Sequence, residues 1–579
     1  MDVHFVGDDP VKEEVEAALT DVDIGLEEAA LEDIADARVA IVTDVAGSER
    51  FRIASQMARD GNTPWISVEV GGVGGQSISS VDAAITGYGP KTACYHCLRA
   101  RVASTRSAYT TTANPSADRQ TVRLAGAIAG RECVRMLARD EESILGSTVE
   151  LPYTRRAVHP IPSCRCHPEG RDRTIELTDE TERTLESTVD RMEGAIDDRV
   201  GLVRSIGEVD SYPAPYYLST LADTEPYSDA SAPVNAAGVD EDWNRAFVKA
   251  IGEALERYCA GVYRDVDCIE ATFDELDAVL DPTTIVRPDD ADELDPEDAH
   301  PWVEGLDLIG DEPTYLHADV VHFPQPNGGL VPQITTGLGL GSSMADAVIS
   351  GLTEVIERDA TMLAWYSTFE PLELELEDEP FDRLAGRVES EGLSVTPLLV
   401  TQDVDVPVVT VAVHRDEPEP DWPAFAVGSA ASLDVIQAAR NALAEATQNW
   451  MELRSIGLDD AEDAGAWIGE YASFPDPARS FVSPESSIDA ATVGPQSVPT
   501  GTDAVTALLE RLEAANLDVY AARITTRDVE SIGFEAVRVV VPDAQPLFTD
   551  EPYFGERIET VPESLGFESR PDREPHPYP

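Results

Sequence analysis

Lysine is nearly absent from this 579-residue chain, which contains only Lys12, Lys91 and Lys249. Basic residues total 42 against 110 acidic ones, so the formal charge is −68 and the sequence pI is near 4.2. Nucleic-acid binding is therefore not expected, because no basic stripe is available to displace counterions from phosphates.

Long apolar runs are also missing. No segment approaches the roughly 18 to 20 apolar residues that cross a bilayer, and the first ten residues lack the charged-then-apolar pattern of a signal peptide. We therefore expect a cytoplasmic protein without a membrane partner. The acidic, arginine-rich composition resembles that of proteins from salt-loving archaea. A solvated surface adapted to high salt explains this charge better than an acidic partner-binding surface.

The rest of the composition indicates a folded α/β protein, with 42% hydrophobic residues. The length corresponds to roughly three to four modules or two larger ones, and we expect two. Strand-like and helix-like stretches alternate near the N-terminus, which predicts a small βαβ-based sheet in a domain spanning residues 1–172. A polar connecting helix is expected within residues 169–198. The larger domain is predicted over residues 173–579.

Seven cysteines are too few for a disulfide framework in a chain of this length. Two close pairs, in Cys94-Tyr95-His96-Cys97 and Cys164-Arg165-Cys166, instead suggest metal ligands. Four thiolates close a tetrahedral Zn²⁺ site without an open position, so the predicted role is structural. His96 or His167 can replace a thiolate, and ordinary buried thiols are the alternative to a metal. The remaining cysteines are interpreted as core residues: Cys133, Cys259 and Cys268.

Three amphipathic helices of the second domain carry the candidate chemistry. They are predicted over residues 245–260, 342–365 and 434–453. The polar positions of interest are Glu253, Glu256 and Arg257, then Glu354, Glu357 and Arg358, then Arg440, Glu445, Gln448 and Glu452. Glutamates three positions apart share a helix face. If these faces converge, the carboxylates need a compensating cation, and Mg²⁺ with a polyphosphate meets that need.

A single Glu-x-x-Glu-Arg sequence is more often an ordinary ion-paired surface helix. Two near-identical copies in apolar surroundings favour convergence. Residues 335–343, Thr-Thr-Gly-Leu-Gly-Leu-Gly-Ser-Ser, directly precede the second helix. This segment is interpreted either as a glycine loop that cradles phosphates or as a flexible turn. No G-x-x-x-x-G-K-[ST] loop occurs, so the nucleotide site must be of another type.

The two Glu-x-x-Glu-Arg helices, the glycine segment and a later Ala-Leu-x-Glu-Ala-x-Gln helix at residues 442–448 resemble the YcaO family. The resemblance extends from about Asp198 to the end of the chain and implies an α+β ATP-binding domain. It implies that Mg²⁺ ions bridging ATP phosphates are held by Glu253, Glu256, Glu354, Glu357 and Glu445. It also implies nucleotide contacts by Arg257, Arg358, Arg440 and Gln448. Lys249 departs from the family, many of whose members have a small residue there.

The last five residues, Pro-His-Pro-Tyr-Pro ending at Pro579, are similar to the termini of azoline-forming YcaO proteins, whose chain end enters the active site. A proline-rich segment is stiff, so it can place a terminal carboxylate at little ordering cost. A disordered tail is the alternative. The N-terminal domain resembles the degenerate ubiquitin-activating-like domain fused to such enzymes, which carries a four-cysteine zinc site. The C-x-C pair departs from the usual second C-x-x-C, and no winged-helix module is evident.

These resemblances imply an ATP- and magnesium-dependent cyclodehydratase that forms azolines from Cys, Ser or Thr of a precursor peptide. The catalytic candidates are Glu354, Glu357 and the Pro579 carboxylate. Thioamide formation with external sulfide and a non-catalytic ATP-binding scaffold are the rival functions. A separate leader-binding or sulfur-donor protein is a candidate partner. The oligomeric state stays open, with a homodimer as one option.

Overall fold

A computed structural model describes residues 2–140, 142–166, 170–177, 183–416, 422–458, 461 and 467–579. Within these residues the strands are β1 Asp2–Val6, β2 Gly25–Glu28, β3 Ala40–Val45, β4 Trp65–Val70, β5 Ala83–Tyr88, β6 Ser147–Leu151, β7 Thr154–Ala157, β8 Val203–Asp210, β9 Tyr216–Leu221, β10 Asn235–Val239, β11 Ile269–Ala271, β12 His300–Asp307, β13 Glu312–His317, β14 Leu338–Gly341, β15 Leu372–Glu375, β16 Ser394–Leu399, β17 Val408–His414, β18 Phe425–Ala431, β19 Ser487–Asp489, β20 Tyr520–Arg523 and β21 Glu535–Val540.

The helices in the same residues are α1 Val11–Thr20, α2 Glu49–Asp60, α3 Tyr95–Ser104, α4 Arg119–Leu137, α5 Leu185–Glu193, α6 Trp243–Gly261, α7 Ala318–Val321, α8 Met344–Trp365, α9 Glu379–Ser390, α10 Val435–Ile456, α11 Ile468–Tyr471, α12 Asp476–Phe481, α13 Gly501–Ala514, α14 Arg527–Ser531 and α15 Arg557–Leu565. None of these helices is long and apolar enough to cross a bilayer.

The N-terminal part of the chain forms one sheet of seven strands in the order β2-β1-β3-β4-β5-β6-β7. The first four strands in this order pair in parallel and the last three antiparallel, which matches the predicted βαβ arrangement. Apolar faces of α1 and α4 pack together over the sheet, around Val3, Phe5, Val15 and Ala125. The α/β fold class is confirmed, whereas the domain boundary at residue 172 stays a prediction.

The connecting segment differs from the prediction. Among its described residues, only Leu185–Glu193 is helical, and residues 170–177 contain no regular element. Side chains of residues 170–177 bind the second domain. Arg171 donates to the carbonyl oxygens of Thr525 and Val262, both at 3.0 Å, and Arg173 donates to that of Arg523 at 2.8 Å. A helix would turn these neighbouring arginines to different sides.

The rest of the chain forms three further sheets, of three, six and five strands. Their strand orders are β10-β9-β8, β11-β12-β20-β21-β14 with β13 beside β12, and β18-β17-β16-β15-β19. Strands β10, β14 and β18 therefore each lie at the edge of a sheet. The three long helices connect these edges, because α6 packs on β10 and β14, α8 on β14 and β18, and α10 on β18 and β10. The result is a closed ring of three strand–helix pairs.

The predicted limits of the three helices agree with the structure to within a few residues. Each helix begins at a polar residue whose side chain accepts hydrogen bonds from the first free backbone N–H groups. These capping residues are Asp242, Ser343 and Asp434. The helix ends are thus encoded locally, and the ring is built on them.

Candidate active site

Three glycines allow each helix of the ring to approach its strand closely. A Cβ atom added to Gly238 of β10 would lie 2.3 Å from the backbone N of Ala250. One added to Gly339 of β14 would lie 2.2 Å from the carbonyl oxygen of Ala347, and one on Gly428 of β18 would clash with α10 in the same way. Any larger residue would push the helix away, so the glycines set the depth at which the helices lie.

At this depth a glutamate of each helix reaches the backbone beside the glycine. The carboxylates of Glu253, Glu354 and Glu445 accept hydrogen bonds from backbone N–H groups at 2.9, 3.0 and 2.7 Å. The donors are Ala237, Gly337 and Ser429. An edge strand has unpaired N–H groups, and the glutamates satisfy one on each sheet. The carboxylates are thereby oriented into the centre of the ring.

The electrostatic consequence is crowding of buried negative charge. Burial raises the pKa of Glu253, Glu354 and Glu445 above the usual glutamate value. Burial, reinforced by neighbouring carboxylates, raises the pKa of Glu256 and of Glu357 to about 8. These five groups are the ones predicted to hold magnesium, and the structure brings them together. A cation would compensate their repulsion.

Arg358 and Ser429 connect the second and third helices. The Arg358 Nη1 lies 3.7 Å from Oε1 of Glu357, and its Nη2 lies 3.9 Å from Oε1 of Glu445. Ser429 donates its hydroxyl to Glu357 at 2.7 Å and its backbone N–H to Glu445. One guanidinium therefore offsets part of the charge of two carboxylates.

A cavity of about 460 Å³ opens between the three helices. Glu253, Glu256, Glu445 and Gln448 lie in its wall, while Glu354 and Glu357 are not among its lining residues. Its volume falls in the range of small-molecule and cofactor sites. Lys249 also lines it and forms an ion pair with Asp240 at 2.8 Å. The wall thus combines carboxylates that suit Mg²⁺ with polar groups that suit a nucleotide.

Two predicted nucleotide contacts are already paired with protein groups. Arg440 donates to both carboxylate oxygens of Asp378, the capping residue of α9, and does not line the cavity. Arg257 forms an ion pair with Glu253 and donates to the carbonyl oxygen of Asn235 at 2.9 Å. Their assignment as nucleotide ligands stays a prediction.

The glycine segment is not a loop. Residues Leu338–Gly341 form strand β14, which pairs antiparallel with β21. Its glycines are required by the contact with α8, since Gly341 as well as Gly339 lies against that helix. The left-handed conformation of Gly337, with φ of 86°, precedes the strand. The middle of the segment is thus a strand and was not predicted as one, whereas its contact with phosphates stays a prediction, since Leu340, Gly341 and Ser342 line the cavity.

The proline-rich tail is packed along α8 rather than free. Arg573 lies over the Trp365 ring, 3.9 Å from its centroid, and donates to the Trp365 carbonyl oxygen at 2.6 Å. The Trp365 indole in turn donates to the carbonyl oxygen of Glu574 at 2.9 Å. Further along, Tyr471 donates its hydroxyl to the carbonyl oxygen of Pro575. The tail is thereby fixed at the C-terminal end of the helix.

The end of the tail reaches the carboxylate cluster. Tyr578 is fully buried, and its hydroxyl lies 3.2 Å from that of Thr410, the residue paired with Ser429 across β17 and β18. Arg358 donates to the backbone carbonyl oxygen of Pro579 at 3.2 Å. The same guanidinium thus contacts Pro579 and faces Glu357 and Glu445.

Docking of the tail should weaken in acid because of His576. Burial lowers the pKa of this fully buried imidazole to about 4, from an ordinary value of 6.5. The docked state binds the proton less well than the released state, so the stability from docking is present above pH 6.5 and is lost as the pH falls towards 4. We expect thermal stability to fall over this interval, and His576→Gln to flatten the decline. A steep, unchanged decline in the variant would contradict this.

Two residues of the site were missed in the sequence. Ser429 contacts carboxylates of two helices. The sequence signal that could have found it is the glycine-containing strand that precedes each helix, because Ser429 directly follows Gly428 in such a strand. Arg538 of β21 is buried, and burial lowers its pKa to about 10 while Glu354 and Glu256 oppose the effect. Its Nη1 has no hydrogen-bond partner among the described residues. It is a second buried cation beside the carboxylates.

The four cysteines of the N-terminal domain form a compact cluster. The sulfurs of Cys94, Cys97, Cys164 and Cys166 all lie within 4.8 Å of one another. The Cys94–Cys164 and Cys97–Cys166 sulfur distances are 3.5 and 3.6 Å. Four thiolates at about 2.3 Å from a tetrahedral Zn²⁺ ion would be about 3.8 Å apart, so the cluster can hold a metal ion. His96 is not part of the cluster, and His167 lies outside the described residues.

Comparison with known proteins identifies the family. The family model described as YcaO cyclodehydratase, ATP- and Mg²⁺-binding, matches residues 237–545. This chain belongs to the YcaO family. An uncharacterised protein of Methanothermobacter thermautotrophicus is 29% identical over 338 residues, which are 56% of this chain and 84% of that protein. The family-model match at residues 237–545 contains all three carboxylate helices, so the family predicted from their motifs is confirmed.

Two solved heterocyclases share the fold across 98% of this YcaO chain. A heterocyclase in complex with substrate and cofactor has a TM-score of 0.72 at 17% identity, with 83% of its own length covered. The heterocyclase TruD has a TM-score of 0.63 at 18% identity, with 81% covered. The similarity includes the N-terminal sheet, so both parts of the chain have the architecture of these proteins.

Proposed function

We propose that this protein is an ATP- and Mg²⁺-dependent peptide cyclodehydratase that forms azolines. The observation that carries the proposal is the grouping of five carboxylates from three helices, with Glu357 buried and the others half-buried, beside Pro579 docked on Arg358. The carboxylates of Glu253, Glu256, Glu354, Glu357 and Glu445 would hold magnesium, which supplies charge neutralisation for the phosphates of ATP. Gln448 and Lys249 would contact the nucleotide.

In the proposed reaction, the side-chain oxygen or sulfur of a substrate Ser, Thr or Cys attacks the preceding amide carbonyl carbon. The former carbonyl oxygen accepts the γ-phosphoryl group of ATP and leaves as phosphate when the ring C=N bond forms. The peptide loses one water in total, and ATP becomes ADP. Arg358 and Arg538 stabilise developing negative charge, and the Pro579 carboxylate accepts a proton from the substrate.

The proposal is tested with purified protein, ATP, Mg²⁺ and a synthetic peptide containing one Cys. Mass spectrometry should show loss of water with equimolar phosphate release. The matched peptide with Ala in place of Cys should remain unchanged. Exchange of oxygen for sulfur on addition of sulfide would instead establish thioamide formation, which the docked tail disfavours. ATP binding without phosphate release from any such peptide would leave only a scaffold function.

The terminal carboxylate gives a sharper test of the ring-forming function. Deletion of Pro579 moves the carboxylate away from Arg358, so we expect ring formation to fall by about a hundredfold, the scale of general-base catalysis. Affinity for ATP should change little, because the carboxylate helices are intact. Asp572→Asn, at an exposed position earlier in the tail, is the control. Equal loss of nucleotide affinity and ring formation would contradict a proton-accepting role.

We further propose that the four-cysteine cluster holds a structural Zn²⁺ ion. The close approach of the four sulfurs, all within 4.8 Å of one another, is what a tetrahedral thiolate site requires. Elemental analysis should find about one zinc per chain. Cys97→Ser should lose the metal and lower the melting temperature, whereas Cys268→Ser should retain it. Full stability without metal would overturn this assignment.

A further inference from the structure

A second cavity, of about 850 Å³, lies between the cysteine cluster and the C-terminal end of α6. Its walls include the turn at residues 162–165, the connecting segment at residues 170–173, and residues 262–264 directly after α6. Cys268, expected in the core, is half-buried in this wall. The proposed function does not use this cavity.

Arginines dominate the cavity wall. Among the described residues of the wall, six arginines face four acidic residues: Arg165, Arg171, Arg173, Arg264, Arg523 and Arg527 against Asp172, Asp267, Glu304 and Glu530. This excess is unusual in a chain of formal charge −68. Arg523 is neutralised by Glu530 and Glu535, each at 2.9 Å. The remaining positive charge makes the cavity a site for an anion.

None of the described carboxylates forms an ion pair with Arg171 or Arg173, although Asp267 lies near enough to both to offset part of their charge. Arg171 donates its N–H groups to backbone carbonyl oxygens, including those of Cys259 and Val262 at the end of α6. Arg173 donates only to the Arg523 carbonyl oxygen among the described residues. Carbonyl oxygens satisfy the N–H groups but leave the charge in place. Burial and the neighbouring Arg171 lower the pKa of Arg173 to about 9, an effect that Asp267 and Glu304 oppose only in part.

His322 adds an unsatisfied acceptor to the same wall. The ring is 3% exposed and stacks on Tyr263, with the centroids 4.3 Å apart. Its Nδ1 lies 3.2 Å from the carbonyl oxygen of Ala260 and therefore carries the hydrogen. Burial and the charges of Arg173 and Arg171 hold the pKa of His322 well below its usual value, so the ring is neutral. Its buried Nε2 is an acceptor without a partner among the described residues.

We propose that this cavity binds an acidic segment of a peptide, with a side-chain carboxylate on Arg173 and an N–H group on His322. A peptide supplies both groups from one chain, and its carboxylate compensates the charge of Arg171 as well. The identification of this peptide as the precursor rests on the proposed function. The binding of an acidic peptide does not depend on it. The junction between the two parts of the chain would thus serve as a docking site for the peptide.

The test uses the full-length protein and a fluorescent hexapeptide of alternating Glu and Ala, blocked at both ends. Fluorescence anisotropy should show saturable binding at least about tenfold tighter than that of the matched Gln–Ala peptide, and weaker at higher KCl concentration. Arg173→Gln should reduce the affinity by at least about tenfold. Arg59→Gln, an exposed arginine of α2, is the matched control and should leave the affinity unchanged.

His322→Phe is the second variant, because it keeps the stacking on Tyr263 while it removes the Nε2 acceptor, together with the Nδ1–H bond to the Ala260 carbonyl oxygen. It should weaken binding of the acidic peptide while the melting temperature stays near that of the parent. Equal binding of the two peptides, or unchanged affinity in both cavity variants, would overturn the proposal. So would displacement of the peptide by an equal concentration of inorganic phosphate, which indicates a small-anion site. Since no ATP turnover is measured, either proposal can fail without the other.

Discussion

Glu357→Gln should reduce ATP turnover by at least about a hundredfold, the scale on which an enzyme loses one buried electrostatic group at its reacting centre. The side chain lies within the ring of helices and accepts a hydrogen bond from the hydroxyl of Ser429 at 2.7 Å. Glutamine retains the volume and can still accept that hydrogen bond. It cannot supply the negative charge that a magnesium ion requires. Phosphate release in the presence of ATP, Mg²⁺ and peptide measures the effect.

The same substitution should have the opposite effect on the stability of the magnesium-free protein. Burial raises the pKa of Glu357 to about 8 from an ordinary 4.5, so the folded state disfavours the ionised form. Stability from this group is therefore complete below pH 4.5 and is lost as the pH rises through 8. At alkaline pH, Glu357→Gln should melt at a higher temperature than the parent when Mg²⁺ is removed.

This pair of results distinguishes a ligand from a structural residue. A residue that only holds the fold together would lower both activity and stability when replaced. Glu510→Gln, at an exposed position of α13, is the matched control and should change neither quantity. Full ATP turnover in Glu357→Gln would count against the magnesium assignment, and Glu354→Gln provides an independent repetition on the same helix.

The sequence was informative about which faces carry the chemistry. The spacing of Glu253 and Glu256, repeated at Glu354 and Glu357, predicted a shared face on each helix, and the structure brings those faces together. Convergence itself depends on Gly238, Gly339 and Gly428, whose importance appears only when the strand is seen against its helix. A glycine in a strand has many explanations, so the sequence could not distinguish this one.

Long-range pairing accounts for most of the differences. Arg440 shares a helix with Glu445, yet its guanidinium binds Asp378 of another element. Periodicity identifies a helix face but not the partner of a long, flexible side chain. The strand in the middle of segment 335–343 was missed for a similar reason, since Leu338–Gly341 becomes a strand only by pairing with β21, almost two hundred residues later. Neither contact leaves a local pattern.

The N-terminal part of the chain is tied to the carboxylate helices through Arg101. This side chain belongs to α3, which also carries Cys97, and it is fully buried in an ion pair with Asp528 of α14. Its Nη1 donates to the hydroxyls of Tyr227 and Tyr258 at 3.1 and 3.2 Å. Tyr258 lies on α6, only two residues after Glu256, and donates to Asp528 at 2.6 Å. One network thus joins the cysteine cluster to the candidate active site.

Arg101→Met should therefore destabilise the protein by roughly 3–5 kcal/mol, the cost of leaving one partner of a buried ion pair uncompensated. The magnitude follows from the Asp528 carboxylate, which would remain in the interior without its ion-pair partner and with hydrogen bonds from the Tyr258 hydroxyl and the Val529 backbone N–H. Replacing Asp528 with Leu in the same chain should recover much of the loss, because the pair is then removed as a unit. Arg99→Met, on an exposed position of the same helix, should change stability by no more than about 0.5 kcal/mol. Denaturant unfolding of the four proteins measures these differences, and similar stability of Arg101→Met and Arg99→Met would show that the two parts of the chain are held together by other contacts.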